Sequence, residues 1–115
     1  MPTFAEFRRD VTGVQAAHPD VELHLVWTGP DEAVTLALIR TLPARRGRGL
    51  AEAALREVTA LADGWGVPLR LTVEPVTGDD EVDLERLIAW YVRHGFVVAR
   101  PGGGSLVMRR PPGPL

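Results

Sequence analysis

The stretch LPARRGRGLAEAALREV, residues 42–58, joins a basic, glycine-containing turn to an Ala-rich helical pattern. It carries four arginines and two glycines in a chain whose formal net charge is −2. A helix N-terminus offers unpaired backbone N–H groups and a partial positive charge. A glycine turn that leads into a helix therefore predicts a site for an anion around Gly47 and Gly49.

Two nucleotide-binding motifs do not fit this turn. The spacing Gly47-x-Gly49-x-x-Glu52 lacks the third small residue of the dinucleotide fingerprint. The Gly-Lys-Ser/Thr sequence of a P-loop is also missing. Both nucleotide interpretations are therefore set aside.

Length and composition indicate a single domain, residues 1–110, followed by a Pro-rich tail, residues 111–115. The 115 residues are 45% hydrophobic, enough for one core. No cysteine is present, which excludes disulfides and thiolate zinc sites and suits a reducing compartment. No apolar run approaches the roughly 20 residues of a membrane span, so we expect a cytoplasmic protein without a membrane partner.

Hydrophobic periodicity predicts the elements on either side of the turn. Thr3 and Glu6 form a capping-box pattern before a first helix, and Gly64 and Gly66 close the helix that follows the turn. A third helix is capped by Asp79 or Asp80. The predicted strands are Val21 to Trp27, Ala33 to Leu42, Leu69 to Glu74, Phe96 to Arg100 and Ser105 to Arg110.

The order of elements is α-β-β-α-β-α-β-β around a mixed sheet, an α/β (α+β) fold class. The first two strands should pair antiparallel, and the last two should form a hairpin. The helix after the basic turn should connect two parallel strands by a right-handed crossover.

Two landmarks resemble one family. Arg46-x-x-Gly49-x-Ala51, after a strand and Pro43, resembles motif A of the GNAT superfamily of acyl-CoA N-acyltransferases. The second landmark, Tyr91-Val-Arg-His-Gly-Phe, is similar to the Tyr-x-x-x-Gly-Phe that ends that family's next helix. The two landmarks occur in the family's order.

The resemblance implies a GNAT-like fold and an acetyl-CoA donor. The backbone N–H groups from Arg46 to Ala51 would bind its pyrophosphate, and the edge peptide groups from Ile39 to Leu42 would pair with its pantetheine arm. The cofactor-binding residues implied in this way are Ile39, Thr41, Leu42, Arg45, Arg46, Gly47, Arg48, Gly49, Leu50 and Ala51.

Tyr91 matches the family's usual acid, and a tyrosine with a reference pKa of about 10 is protonated at neutral pH. The general base is harder to assign from the resemblance. Members with a Leu-Glu-Val strand use its Glu, and the matching residue here is Thr72. Glu74, two residues on and on the same face, is the substitute, with a water chain as the alternative.

The chain departs from the family's pattern in three places. Leu84 stands where an Asn is common, and Leu87 where a small residue is common. Many members place two helices before their second strand to build the acceptor pocket, whereas this chain has one helix there. The acceptor pocket is therefore either open or completed by a partner subunit. The acceptor is therefore not identified by the sequence.

The function expected is transfer of an acetyl group from acetyl-CoA to a primary amine by direct attack in a ternary complex. The alternative is a weak or inactive CoA-binding sensor or interaction module on the same fold. An acidic run, residues 79–85, is either a solvated helix cap or an attractor of a cationic amine.

Other partners are expected less. A nucleic-acid patch of Arg100, Arg109 and Arg110 with the motif arginines lacks interleaved aromatic residues. A homodimer through the exposed hairpin strands is compatible with the sequence. No metal site is expected, because the histidines form no i, i+4 pair.

Overall fold

The computed structural model describes residues 2–29, 31–41, 49–73, 84–102 and 105–113. Its elements follow the predicted order and class. They are α1 (Phe4–Ala17), β1 (Val21–Val26), β2 (Val34–Thr41), α2 (Leu50–Trp65), β3 (Leu69–Val73), α3 (Leu84–Arg93), β4 (Val97–Gly102) and β5 (Ser105–Arg110).

Several boundaries differ from the prediction. β1 ends one residue before Trp27, and β4 begins at Val97, one residue after Phe96. α2 continues through Gly64 to Trp65, so Gly66 alone caps it, with a left-handed φ of +70°. The predicted caps of α3, Asp79 and Asp80, lie outside the described residues.

The capping box at the start of α1 is confirmed. The Thr3 hydroxyl accepts from the Glu6 N–H at 3.1 Å, and the Glu6 carboxylate accepts from the Thr3 N–H at 3.1 Å. The predicted apolar face of α1 is buried at Val11 and its neighbours Phe7 and Val14. Phe4, in the first turn of α1, is 57% exposed although it lies at helical spacing with these buried residues.

The sheet has five strands in the order β1-β2-β3-β5-β4. β1 and β2 are antiparallel, and β2 and β3 are parallel, as expected for two strands joined through α2. The terminal hairpin is also confirmed. Its second strand, β5, pairs antiparallel with β3 and leaves β4 at the edge.

The core lies on one face of this sheet. α1 and α2 pack there, and Leu55, Val58 and Ala62 of α2 are fully buried. The strands contribute alternate residues, such as Leu69 and Leu71, to the same core. The intervening residues point to the opposite face, where the side chains are largely exposed.

Candidate active site

A cleft opens in the sheet where two parallel strands separate. β2 and β3 pair only at Val34 with Leu69 and at Thr35 with Arg70, although both strands continue beyond these pairs. The separation leaves a cavity of about 560 Å³. It is lined by Thr35, Leu36, Ala37, Leu38, Ile39, Leu71, Thr72, Val73, Leu87 and Tyr91. Peptide groups along the separated strand edges can therefore bind an extended ligand.

Tyr91 of α3 forms part of the wall of this cleft. Its side chain is 8% exposed, and its ring packs against Phe96 and Trp90 at centroid distances of 5.5 and 5.1 Å. Burial raises the pKa of Tyr91 to about 12, because the phenolate would lose its hydration. The hydroxyl therefore stays protonated at neutral pH and can donate a hydrogen bond.

The N-terminus of α2 begins at a glycine that carries no side chain toward a ligand. Gly49 is the N-cap with φ of +70°, and no side chain caps the helix there. Among the residues that the structure describes, none comes within 4 Å of a Cβ built at Gly49. The first N–H groups of α2, including those of Leu50 and Ala51, have no carbonyl one turn earlier within the helix. This end of α2 therefore has the chemistry of an anion site.

A contact between α3 and α2 joins the two sequence landmarks. The buried Nε2 of His94 lies 3.4 Å from Oε1 of Glu52, at ion-pair distance but without hydrogen-bond geometry. Glu52 lies in the first turn of α2, and His94 follows the last turn of α3. His94, just after the tyrosine helix, thus contacts the first turn of α2.

Several solved structures with a similar chain path are acetyltransferases at low sequence identity. The PaiA N-acetyltransferase of Thermoplasma acidophilum, solved with coenzyme A, is 14% identical with a TM-score of 0.59, covering 93% of this chain and 70% of that one. An acetyltransferase of Thermus thermophilus is 24% identical with a TM-score of 0.54, covering 96% of this chain and 75% of that one. In sequence, no protein-family model and no curated protein matches the chain.

Nourseothricin acetyltransferase is 23% identical with a TM-score of 0.57, covering 80% of this chain, which spans only 57% of that protein. Together with the separated parallel strands, these similarities decide the fold. The chain has the GNAT acyl-CoA N-acyltransferase fold.

Within the GNAT fold, the predicted site residues divide into three groups. Ile39 and Tyr91 line the cleft, and Thr41 ends the same strand as Ile39. Gly49, Leu50 and Ala51 form the start of α2. The remaining predicted residues, Leu42, Arg45, Arg46, Gly47, Arg48 and Glu74, lie outside the described residues.

The cleft of this GNAT fold also contains residues that the sequence did not single out. Thr35, Leu71 and Val73 line it because β2 and β3 separate beside them. Their alternation predicted strands, but no local signal marks where two strands stop pairing.

None of the described helices is both long enough and apolar enough to cross a membrane.

Proposed function

We propose that this protein is an N-acetyltransferase that moves an acetyl group from acetyl-CoA to a primary amine by direct attack in a ternary complex. One observation carries the proposal: the cleft between β2 and β3 has the protonated Tyr91 on its wall. The GNAT fold and its CoA-bound neighbour support a CoA-type donor.

The donor would be held by backbone groups more than by side chains. Gly49, Leu50 and Ala51 provide N–H groups at the start of α2 for the pyrophosphate. The basic residues Arg45, Arg46 and Arg48, with Gly47, would add charge and close approach. The strand edge from Ile39 through Thr41 to Leu42 would pair with the pantetheine arm.

Besides the acetyl donor, the reaction needs an attacking amine, a hydrogen-bond donor for the leaving sulfur and a base for the amine proton. A neutral amine attacks the thioester carbonyl carbon, the carbon–sulfur bond breaks, and the sulfur leaves as a thiolate. Tyr91 would donate a hydrogen bond to that sulfur. Its pKa of about 12 is well above the reference value of about 8.5 for a thiol, so the proton would stay mainly on the tyrosine.

The amine must also lose a proton. Thr72, exposed in β3 and on the cleft wall, has no useful basicity. We assign the role of general base to Glu74, with a water chain as the alternative route. Thr72 is also the observation that favours the second candidate function, a CoA-binding sensor or interaction module with weak acetyl transfer.

Isothermal titration with acetyl-CoA and with CoA tests the donor site directly. The informative variant is Gly49→Glu, which puts a carboxylate at the helix start. Gly66→Glu is a matched control, because Gly66 has the same φ of +70° but lies at the opposite end of α2. Both variants carry the same backbone strain, so a difference between them reports the anion site.

We expect wild type and Gly66→Glu to bind both molecules, and Gly49→Glu to lose at least about tenfold in affinity. Equal affinities in all three proteins would contradict a donor site at the start of α2. With binding established, release of CoA in the presence of amines separates the enzyme from the sensor. Binding without any release would favour the sensor.

A further inference from the structure

Two arginines stand side by side on the open face of the sheet. Arg70 of β3 and Arg109 of β5 are direct cross-strand partners, and both are exposed. The next pair, Leu71 and Met108, points into the core, so the arginines point away from it. Like charges directly opposite each other destabilise a sheet. Within the described part of the chain, neither guanidinium forms a salt bridge or hydrogen bond.

These arginines line a second cavity, of about 500 Å³, together with two carboxylates. Asp31 and Glu32 come from the segment before β2 and are exposed. The segment is anchored, because the carbonyl oxygen of Glu32 accepts from the indole N–H of Trp27 at 3.2 Å. Among the described residues, no salt bridge joins these carboxylates to the arginines. The cavity therefore presents both signs of charge to a ligand.

The charged cavity adjoins the cleft between β2 and β3. Thr35 lines both, and Arg70 is the parallel-strand partner of Thr35. Arg70 and Thr72 lie on the same side of β3, two residues and roughly 7 Å apart. A small molecule held at Arg70 can therefore extend into the cleft beside Thr72.

We propose that the acceptor is a diamino acid, which is bound at its α-amino-carboxylate head and acetylated on the amine at the far end of its side chain. Arg70 and Arg109 would bind the carboxylate, as guanidinium groups do in forked geometry. Asp31 and Glu32 would bind the α-ammonium group. The proposal rests on the acetyltransferase function and names its substrate class.

The geometry selects the terminal amine over the α-amine. An α-amine lies directly beside its carboxylate and would stay at the charged cavity. An amine on a stem of three or four carbons, as in ornithine or lysine, spans a distance similar to the roughly 7 Å between Arg70 and Thr72. The terminal amine would thus reach the cleft that Tyr91 lines.

Three related amines test the carboxylate and the α-ammonium group of the head group separately. Lysine carries both charges, cadaverine lacks the carboxylate, and 6-aminohexanoate lacks the α-amine, while all three keep the same terminal amine. Their binding to the CoA-loaded protein is measured by calorimetry, and acetyl transfer is measured in parallel. The variants are Arg70→Gln and Asp31→Asn, with Arg8→Gln on the exposed side of α1 as control.

Wild type should bind lysine most tightly. Arg70→Gln should weaken lysine and 6-aminohexanoate by at least about tenfold and leave cadaverine unchanged. Asp31→Asn should weaken lysine and cadaverine but not 6-aminohexanoate, and Arg8→Gln should change none. Equal wild-type affinities for the three amines, no lysine binding, or equal losses for all amines in Arg70→Gln would overturn the proposal.

The binding and transfer measurements fail independently. Charge-selective binding of lysine without acetyl transfer would remove the proposed activity and keep the charged site. Acetyl transfer to all three amines without selectivity would keep the activity and overturn the charged site.

Discussion

The guanidinium of Arg110 holds the carboxylate of Asp63 through two hydrogen bonds of 2.7 and 3.0 Å. Its Nε also donates to the carbonyl oxygen of His94 at 2.8 Å, so one side chain joins β5, α2 and the end of α3. Asp63 further accepts the N–H of Gly113 at 2.6 Å. Arg110 is therefore a structural residue whose guanidinium is bound within the protein.

Replacing Asp63 with Asn should destabilise the protein. The pair is partly buried, and its loss leaves the guanidinium without a counter-charge, so we expect the free energy of unfolding to fall by about 1.5–3 kcal/mol. Urea denaturation at neutral pH measures this. Glu22→Gln is the control, because Glu22 pairs with Arg40 at the exposed surface and should cost less than about 1 kcal/mol. Equal losses of unfolding free energy in Asp63→Asn and Glu22→Gln would contradict a larger contribution of the Asp63 pair to stability.

Asp63 should also make stability depend on pH in the acid range. The Arg110 hydrogen bonds hold the pKa of Asp63 below its usual 3.8, despite an opposing effect of burial. A lowered pKa adds stability above the unfolded value, and this stability is lost as pH falls from about 4 through the folded pKa. Denaturation measured from about pH 5 to about pH 2 should show that the free energy of unfolding falls more steeply in wild type than in Asp63→Asn. Parallel curves would refute this linkage.

Gly95 should not tolerate a side chain. Its φ is +91°, and an added Cβ would lie 3.1 Å from Nε of Arg110. Gly95→Ala should therefore lower the free energy of unfolding by about 1–3 kcal/mol. Gly13→Ala is the opposite case, because Gly13 lies within α1 with nothing within 4 Å, and it should stabilise by about 0.5–1 kcal/mol. Thermal melting of both variants tests these two predictions. A stability change of the same sign in Gly95→Ala and Gly13→Ala would contradict them.

The single tyrosine allows a direct titration. Burial raises the pKa of Tyr91 to about 12, so phenolate absorbance should appear well above the usual value of 10.0 while the protein is folded. The corresponding stability is full below pH 10 and declines as pH rises toward 12, by an amount on the order of 2 kcal/mol. Tyr91→Phe keeps the packed ring and should lose this alkaline dependence. A phenolate titration at the usual value in the folded protein would disprove the burial effect.

Kinetics should separate the two neighbouring positions of the proposed base. If Glu74 takes the proton from the amine, Glu74→Gln lowers kcat by about 100-fold or more and removes an acidic limb from the pH profile. Thr72→Val changes a cleft residue without basicity and should have a much smaller effect on kcat. An unchanged pH profile in Glu74→Gln would assign proton removal to the water chain.

The elements that sequence predicted well are those decided by neighbouring residues. The capping box of Thr3 and Glu6 acts over three residues, and the apolar residues of α2, among them the buried Leu55 and Val58, recur with the helical period. Gly66 ends α2 through its own left-handed conformation. Errors occurred at element ends, where Gly64 proved compatible with a continuing helix.

The candidate site was predictable only in part. Gly49 and Tyr91 were singled out because each belongs to a short motif, and the contact between Glu52 and His94 joins the helices that carry these motifs. The cleft itself depends on where β2 stops pairing with β3. The sequence of neither strand shows where that pairing ends. The raised pKa of Tyr91 likewise comes from its burial against residues distant in sequence.

The sequence by itself determined the order of helices and strands and the caps Thr3 and Gly66, because these follow from periodicity and backbone preference within a few residues. Only the tertiary structure decided that β5 lies between β3 and β4, and hence that Arg70 faces Arg109. It also decided that Arg110 binds Asp63 rather than remaining free. Such contacts join residues far apart along the chain, so they depend on how the whole core packs and not on any local pattern.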